Sequence, residues 1–313
     1  MPTIDTLVDD IYRVLDERFN HETDIDLIAT MGTNISKHMI DTVSRRDKRK
    51  EHGKIWASSL GERCMRKVWY DYNAPELALP MPPYAFNKFL YGNIIEETLL
   101  TLAKVAGHEV DMEQERVQYT LASGWTLSGK MDARIDGHVV DVKSANSFAL
   151  RKYAQNSNVI LPENDSFGYN AQLWYYYQFN QDVDKSLDPV FLMQDKTLGH
   201  IKLIHPAVTD IAGNTYGVEY YVNKAMDISE AAERKTKPPL PTGDPDYDPV
   251  PDGKSGNMKL STKCSYCPYK IDCHNPRTFV GASGVKHLTE VKRVPKMEEV
   301  IDFYDWTDKN YES

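Results

Sequence analysis

The chain has 313 residues, 41% hydrophobic and 27% charged, the balance of a globular protein long enough to bury a substantial core. Its 37 basic and 46 acidic residues leave a net charge of −9, which excludes a protein that coats nucleic acid through a global positive field but leaves room for a local basic groove. No apolar run is long enough to cross a bilayer, and the N-terminus MPTIDTLVDD lacks the basic and apolar regions of a signal peptide, so a cytoplasmic protein with no membrane partner is expected.

Ile4, Leu7, Val8, Ile11 and Leu15 recur at helical spacing and predict an amphipathic helix over residues 3–20. The run SRRDKRK, residues 44–50, reads as a solvated helix face or as a contact to a nucleic-acid backbone. From Pro83 to about Lys104 a broad apolar stripe opened by proline predicts a long, largely buried helix. Strand-like runs follow near 109–119, 125–135 and 138–143, then helices near 146–155 and 166–180. Two more strands near 189–194 and 199–204 precede a helix over about 209–234. This order fits an α/β fold with a central mixed sheet flanked by helices. Residues 241–256, PTGDPDYDPVPDGKSG, have the composition of an irregular segment, expected to be mobile and distant from any nucleic acid.

The stretch SGKMDARIDGHVVDVKSAN, residues 128–146, carries the strongest local signal. Asp136-Gly137 between alternating runs predicts a two-residue hairpin loop. Counting outward pairs Ile135 with His138, Arg134 with Val139, Ala133 with Val140, and Asp132 with Asp141. Alternation sends Met131, Ala133, Val140 and Val142 to an apolar face and puts Lys143 on the carboxylate face. Like charges directly opposite, with Cβ atoms about 5 Å apart, destabilise a sheet. Either the carboxylates are solvated with Lys143 softening the repulsion, or they grip a divalent cation, since magnesium takes oxygens from one or two carboxylates plus substrate phosphate.

Gly92 and Glu96 lie four apart on the long helix, so the glycine leaves open space one turn from the carboxylate; Glu97 is the competing acid. Gln172 and Tyr176 share a helix face by the same spacing. Taken in order, Gly92-x-x-x-Glu96, Gly129-x-x-Asp132, Asp141-Val142-Lys143 and Gln172-x-x-x-Tyr176 resemble the RecB-type branch of the PD-(D/E)XK nuclease superfamily. The resemblance implies a restriction-endonuclease-like core over residues 83–235, preceded by a helical region over 1–82. It implies Mg2+ or Mn2+ held by Glu96, Asp132 and Asp141, with the Val142 carbonyl as a fourth ligand. Many relatives have His where this chain has Glu96. Lys143 would orient the attacking water or stabilise developing charge, and Gln172 and Tyr176 would position the strand.

The chain has four cysteines, Cys64 in CMRKVWY and Cys264, Cys267 and Cys273 in CSYCPYKIDC. A cytosolic setting disfavours disulfides, and four thiolates suit structural zinc or an iron–sulfur cluster equally well. One cysteine before the nuclease core and C-x2-C-x5-C after it resembles the iron–sulfur nucleases that include the AddB subunit and the CRISPR adaptation nucleases, as does Cys-x-Arg-x-x-Trp around Cys64. That resemblance implies a 4Fe–4S cluster held by Cys64 together with Cys264, Cys267 and Cys273 of the remaining segment, 236–313, closing a loop of about two hundred residues and pinning the N-terminal helices to that segment.

The resulting expectation is a metal-dependent DNA exonuclease acting on single strands or DNA ends, in recombination, repair or phage-type DNA processing. Its rivals are a structure-specific endonuclease on the same fold and a non-catalytic DNA-binding or assembly factor. Arg66 and other early basic residues are candidate backbone contacts. A helicase, annealing protein or recombination partner would be a separate chain, because no motor-like segment is present.

Overall fold

The computed structural model describes residues 2–16, 24–44, 51–282 and 284–311. Residues 45–50 of the basic run and 17–20 of the first predicted helix lie outside these. The chain divides into two compact units, one drawn from residues 1–47, 53–62 and 86–226, the other from 48–52, 63–85 and 227–313. Both units are discontinuous in sequence.

Helices α1 (Leu7–Leu15) and α2 (Ile25–Val43) and strand β1 (Lys54–Trp56) lead to α3 (Met65–Asn73) and the long α4 (Pro83–Val105). Strands β2 (Val110–Asp111), β3 (Arg116–Thr120), β4 (Thr126–Lys130), β5 (Ala133–Ile135) and β6 (His138–Ala145) follow. Next come α5 (Ser147–Gln155), β7 (Val159–Ile160), α6 (Tyr169–Phe179), β8 (Val190–Asp195), β9 (Ile201–Pro206) and α7 (Val218–Glu233). The chain ends with β10 (Val250–Pro251), β11 (Met258–Lys259), α8 (Thr262–Tyr266), α9 (Lys270–His274), β12 (Arg277–Gly281), β13 (Gly284–Glu290), β14 (Glu298–Val300) and α10 (Phe303–Tyr311). No helix among the described residues is long and apolar enough to cross a membrane.

The architecture is α/β, with mixed sheets flanked by helices. In the first unit the six-stranded sheet runs β2-β5-β6-β8-β9-β7, and the smaller sheet runs β1-β4-β3. β6 pairs parallel with β8, which requires the crossover supplied by α5 and α6. Asn146 caps α5, its side chain accepting the Ala149 N–H at 2.8 Å. The core joins Leu7 and Ile11 of α1, Ile95, Leu99 and Leu100 of α4, and Val140, Val142 and Leu192 of the sheet. α4 is buried mainly in its C-terminal half; Tyr84, Phe89 and Tyr91 remain exposed.

The hairpin forms as its turn dictates. Asp136 and Gly137 take φ of +49° and +86°, and the ladder pairs Ile135 with His138, Arg134 with Val139 and Ala133 with Val140. The single strand expected over 125–135 is broken. β4 belongs to the small sheet and β5 to the large one, so the chain changes sheet at Met131-Asp132. There the Met131 N–H goes to the Glu115 carbonyl at 2.9 Å and the Asp132 carbonyl accepts the Gln114 N–H at 3.1 Å. The ladder therefore stops one pair short of Asp132.

Three further differences have local causes. α2 has no apolar signature clean enough to read, and none of its residues is fully buried. Residues 209–217 are not helical; Asp210 ties a turn instead by accepting the Ala212 and Asn214 N–H groups at 2.9 Å each. The acidic segment 241–256 is irregular as expected but anchored, with Arg63 donating to Asp244 at 3.2 Å and Lys286 to Asp252 at 3.0 Å. In the second unit the sheet runs β10-β11-β13-β12-β14.

Candidate functional site

Because the chain changes sheet at Asp132, the Asp132 carboxylate turns back onto β6, and its Oδ2 accepts the Val142 N–H at 2.8 Å. Asp141, on the sheet's polar face, is wholly buried, and among the described residues no backbone N–H or neutral side chain donates to its carboxylate, which meets the Lys143 ammonium. Lys143, two residues on, forms an ion pair with Asp141, stands 4.0 Å from Asp132 Oδ2 and donates to the Val142 carbonyl at 3.4 Å. Direct Asp132–Asp141 strand pairing is thus corrected, yet the two carboxylates remain neighbours. Burial, then the Asp141 charge, push the Asp132 carboxyl well above the usual carboxylate range. Burial disfavours the Lys143 ammonium, but Asp141 and Asp132 outweigh it and raise its pKa.

Glu96 completes the group from α4. Burial first, then Asp141 and Glu97, push it up to about 7 against the pull of Lys143 and His38. Gln114 donates to Glu96 Oε1 at 2.7 Å. Glu97 turns toward α2, accepting Asn34 Nδ2 at 3.0 Å and meeting His38 Nε2 at 3.1 Å. Of the two competing acids, Glu96 therefore shares the field of Asp141 and Lys143 most directly. A Cβ at Gly92 would meet nothing within 4 Å, so the space one turn from Glu96 is open.

Gln172 Nε2 donates to Tyr176 Oη at 3.0 Å, as the four-residue spacing predicts. Tyr176 is buried beside the acids; burial, then Asp141, raise its pKa. Gly129 has a steric reason. A Cβ there would fall 2.6 Å from Ala57 Cβ and 2.7 Å from Tyr176 Cε1, so only glycine lets α6 bring Tyr176 this close to β4.

Sequence reasoning missed Gln114, His38, Asn34 and Tyr169. His38 and Asn34 approach from α2, which was not read, and Gln114 from the break between β2 and β3 inside the single strand expected over 109–119. Tyr169 was legible in principle, since it precedes Gln172 by three on one helix face; its ring lies 5.6 Å from Lys143 Nζ.

The four cysteines all belong to the second unit, where they join residues 63–85 to 227–313 and not to the N-terminal helices α1 and α2. Cys64 caps α3, its sulfur accepting the Lys67 N–H at 3.4 Å, and packs in one buried cluster with Cys264. Burial pushes Cys267 up to about 12, with Cys273 and Cys64 adding to the rise and Lys67 opposing it. Burial likewise raises Cys273, against Arg66 and Lys237. Arg66 is engaged here, donating to the Pro238 carbonyl at 2.9 Å. Among the described residues no group of three or more His, Cys, Asp or Glu side chains stands in ready-made metal-ligand geometry.

No family model matches the chain, and no curated protein matches its sequence. Among solved structures it is similar to one titled the crystal structure of SSO0001, at 16% identity and a TM-score of 0.42, covering 78% of this chain and 96% of that one. A likeness so distant carries no argument about function.

Proposed function

We propose that the chain is a metal-dependent deoxyribonuclease with a PD-(D/E)XK core and an iron–sulfur clip, acting as an exonuclease on single strands or DNA ends. The observation that carries this is Asp141, a fully buried carboxylate that meets the Lys143 ammonium but no backbone or neutral donor, with the carboxyl groups of Asp132 and Glu96 gathered beside the same lysine. One ammonium faces three carboxyl groups, and burial with mutual repulsion raises Asp132 and Glu96, so all three carry charge together only when a further cation offsets them. The donor set fits a hard divalent ion, Mg2+ or Mn2+, held by Glu96, Asp132, Asp141 and the Val142 carbonyl. Such an ion supplies charge stabilisation at a phosphoryl oxygen and acidifies water.

The chain's own residues do the rest. Lys143 Nζ supplies fixed positive charge beside the carboxylates, where the phosphate's added negative charge develops. Gln172 and Tyr176, held together by their hydrogen bond, form a polar edge that orients the strand. Asp132 spends one oxygen on the Val142 N–H, which fixes its carboxylate and leaves the other available.

Cys64, Cys264, Cys267 and Cys273 fit a 4Fe–4S cluster, with structural zinc as the alternative. Thiols whose pKa is raised by burial become thiolates only against compensating cationic charge, and Arg66, Lys67 and Lys237 stand close enough to be felt. The cluster's part is structural. A scaffold or assembly factor has no use for three carboxyl groups gathered about one buried lysine, so the enzyme reading is preferred. DNA is the substrate partner, and a helicase, annealing protein or recombination protein is the kind of further partner this reading implies.

The test is digestion of linear end-labelled DNA and of circular DNA, single- and double-stranded, with Mg2+, Mn2+ or chelator. Mononucleotide release from linear single strands, with circles untouched and chelator blocking, is expected. Cutting of circles would favour the endonuclease; no cutting with either metal would leave a binding or assembly factor.

A further inference from the structure

Beside the acidic centre, the turn into α6 carries rings that the hydrolysis itself does not need. Phe167 is 69% exposed and stacks on Tyr169, with centroids 5.5 Å apart and planes inclined by 28°. Tyr169 in turn faces Lys143, whose Nζ lies 5.6 Å from its centroid, and Lys143 pairs with Asp141. An outward aromatic face is thus joined to the acidic centre by two contacts in series.

The backbone that presents this face is fixed. Gly168 has φ +74° and lies so close to Gly61 that a Cβ on Gly61 would fall 2.3 Å from Gly168 Cα. Asp165 accepts the Tyr169 and Asn170 N–H groups, one on each oxygen, at 2.8 Å each. Asn170 Nδ2 donates to the Ile160 carbonyl at 2.9 Å. A ring held outward by a rigid turn has little ordering entropy left to lose when something stacks on it.

We propose that Phe167, backed by Tyr169, is a stacking subsite for an unpaired nucleobase of the strand whose phosphate lies at the acidic centre. The proposal rests on the nuclease reading above and names its substrate class as single-stranded nucleic acid. The two sides of the site match the two halves of a nucleotide. Lys143 and the acidic group face phosphate, while the Phe167 ring offers an apolar π face. Every base has such a face, so selection is for strandedness and not for sequence, and a base stacked inside a duplex cannot use it.

The test places 2-aminopurine at successive positions of a short single-stranded DNA and measures its fluorescence on the full-length Asp141→Asn protein with Mg2+. Quenching at one position is expected. Adding Phe167→Ala should remove it and weaken binding about tenfold, while Phe167→Trp should retain both. In otherwise wild-type protein Phe167→Ala should raise KM about tenfold with kcat within twofold, with a circular dichroism melt unchanged. Wild-type quenching, affinity and KM in Phe167→Ala would overturn the subsite while leaving the nuclease standing. A wild-type protein that neither binds nor cuts DNA would overturn the nuclease reading itself, and the subsite with it.

Discussion

Asp132 has two duties, and they can be separated by substitution. Its Oδ2 accepts the Val142 N–H while its charge adds to that of Asp141 and Glu96. Asp132→Asn keeps an acceptor for that N–H and removes the charge, so cleavage should vanish with stability within about 1 kcal/mol of wild type. Asp132→Ala strands the N–H and should cost a further 1–3 kcal/mol or so in a chemical melt. Equal stability of the two variants would show that the hydrogen bond contributes nothing. Lys143→Ala should lower kcat by roughly 10²–10³ and change DNA affinity little, since one lysine adds little to a many-phosphate contact but much to a charged transition state. Parallel losses in kcat and affinity, measured on one substrate, would make Lys143 a backbone contact. At this scale the sequence was informative because a two-residue Asp-Gly loop fixes register, and register fixes which side chains share a face. It could not disclose that Asp132 bonds to β6 backbone, because that depends on a sheet change set by the Gln114 and Glu115 contacts of another segment.

Packing between elements explains the motif glycine. Gly129→Ala would place a methyl 2.6 Å from Ala57 Cβ and 2.7 Å from the Tyr176 ring, neither of them a flexible chain end. Overpacking of this kind costs about 1–3 kcal/mol, and relief by displacing α6 would pull Tyr176 from the acids. The melting temperature and kcat should fall together; unchanged values for both would remove the steric account. A second element-scale expectation concerns β13. Burial first, then Lys270, lowers His287 to about 4, and the ring meets the Thr278 hydroxyl at 2.9 Å. The folded state therefore holds His287 neutral while the unfolded chain protonates it near 6.5. Its contribution is complete above pH 6.5 and is lost as pH falls from 6.5 toward 4, by up to about 3 kcal/mol. His287→Gln should flatten that part of the stability profile; an unaltered slope would contradict the assignment. An element with one sharp signal, such as the Asp-Gly hairpin, was legible in sequence. α2 was not, because its half-buried face is held to α4 by Asn34 and His38 rather than by an apolar stripe. The strands of the second unit were missed as well; β10, β11 and β14 are two or three residues long and have no period to read, a reason that does not extend to the longer β12 and β13.

For the whole molecule, the two units divide the work between an acidic centre in one and a cysteine patch in the other. Composition alone misjudged the acidic segment, which reads as a mobile linker but is fixed by Arg63, 181 residues away from Asp244 in the chain. Protein purified without oxygen should be brown, contain about four irons per chain, and bleach when any of Cys64, Cys264, Cys267 or Cys273 is replaced by Ala. Bleaching should lower the stability of the second unit, and activity should fall only as folded protein is lost. A colourless protein with one zinc would overturn the cluster and leave the nuclease intact. The central claim is that Asp141 is a buried carboxylate kept for a divalent cation that cuts DNA. It is tested most directly by following end-labelled single-stranded DNA with Mn2+ in wild-type protein and in Asp141→Asn at matched folded concentration. Rapid chelator-sensitive cleavage by the wild type with at least a thousandfold loss in Asp141→Asn is the expected result. Equal cleavage by the two proteins, or none by either, would contradict it.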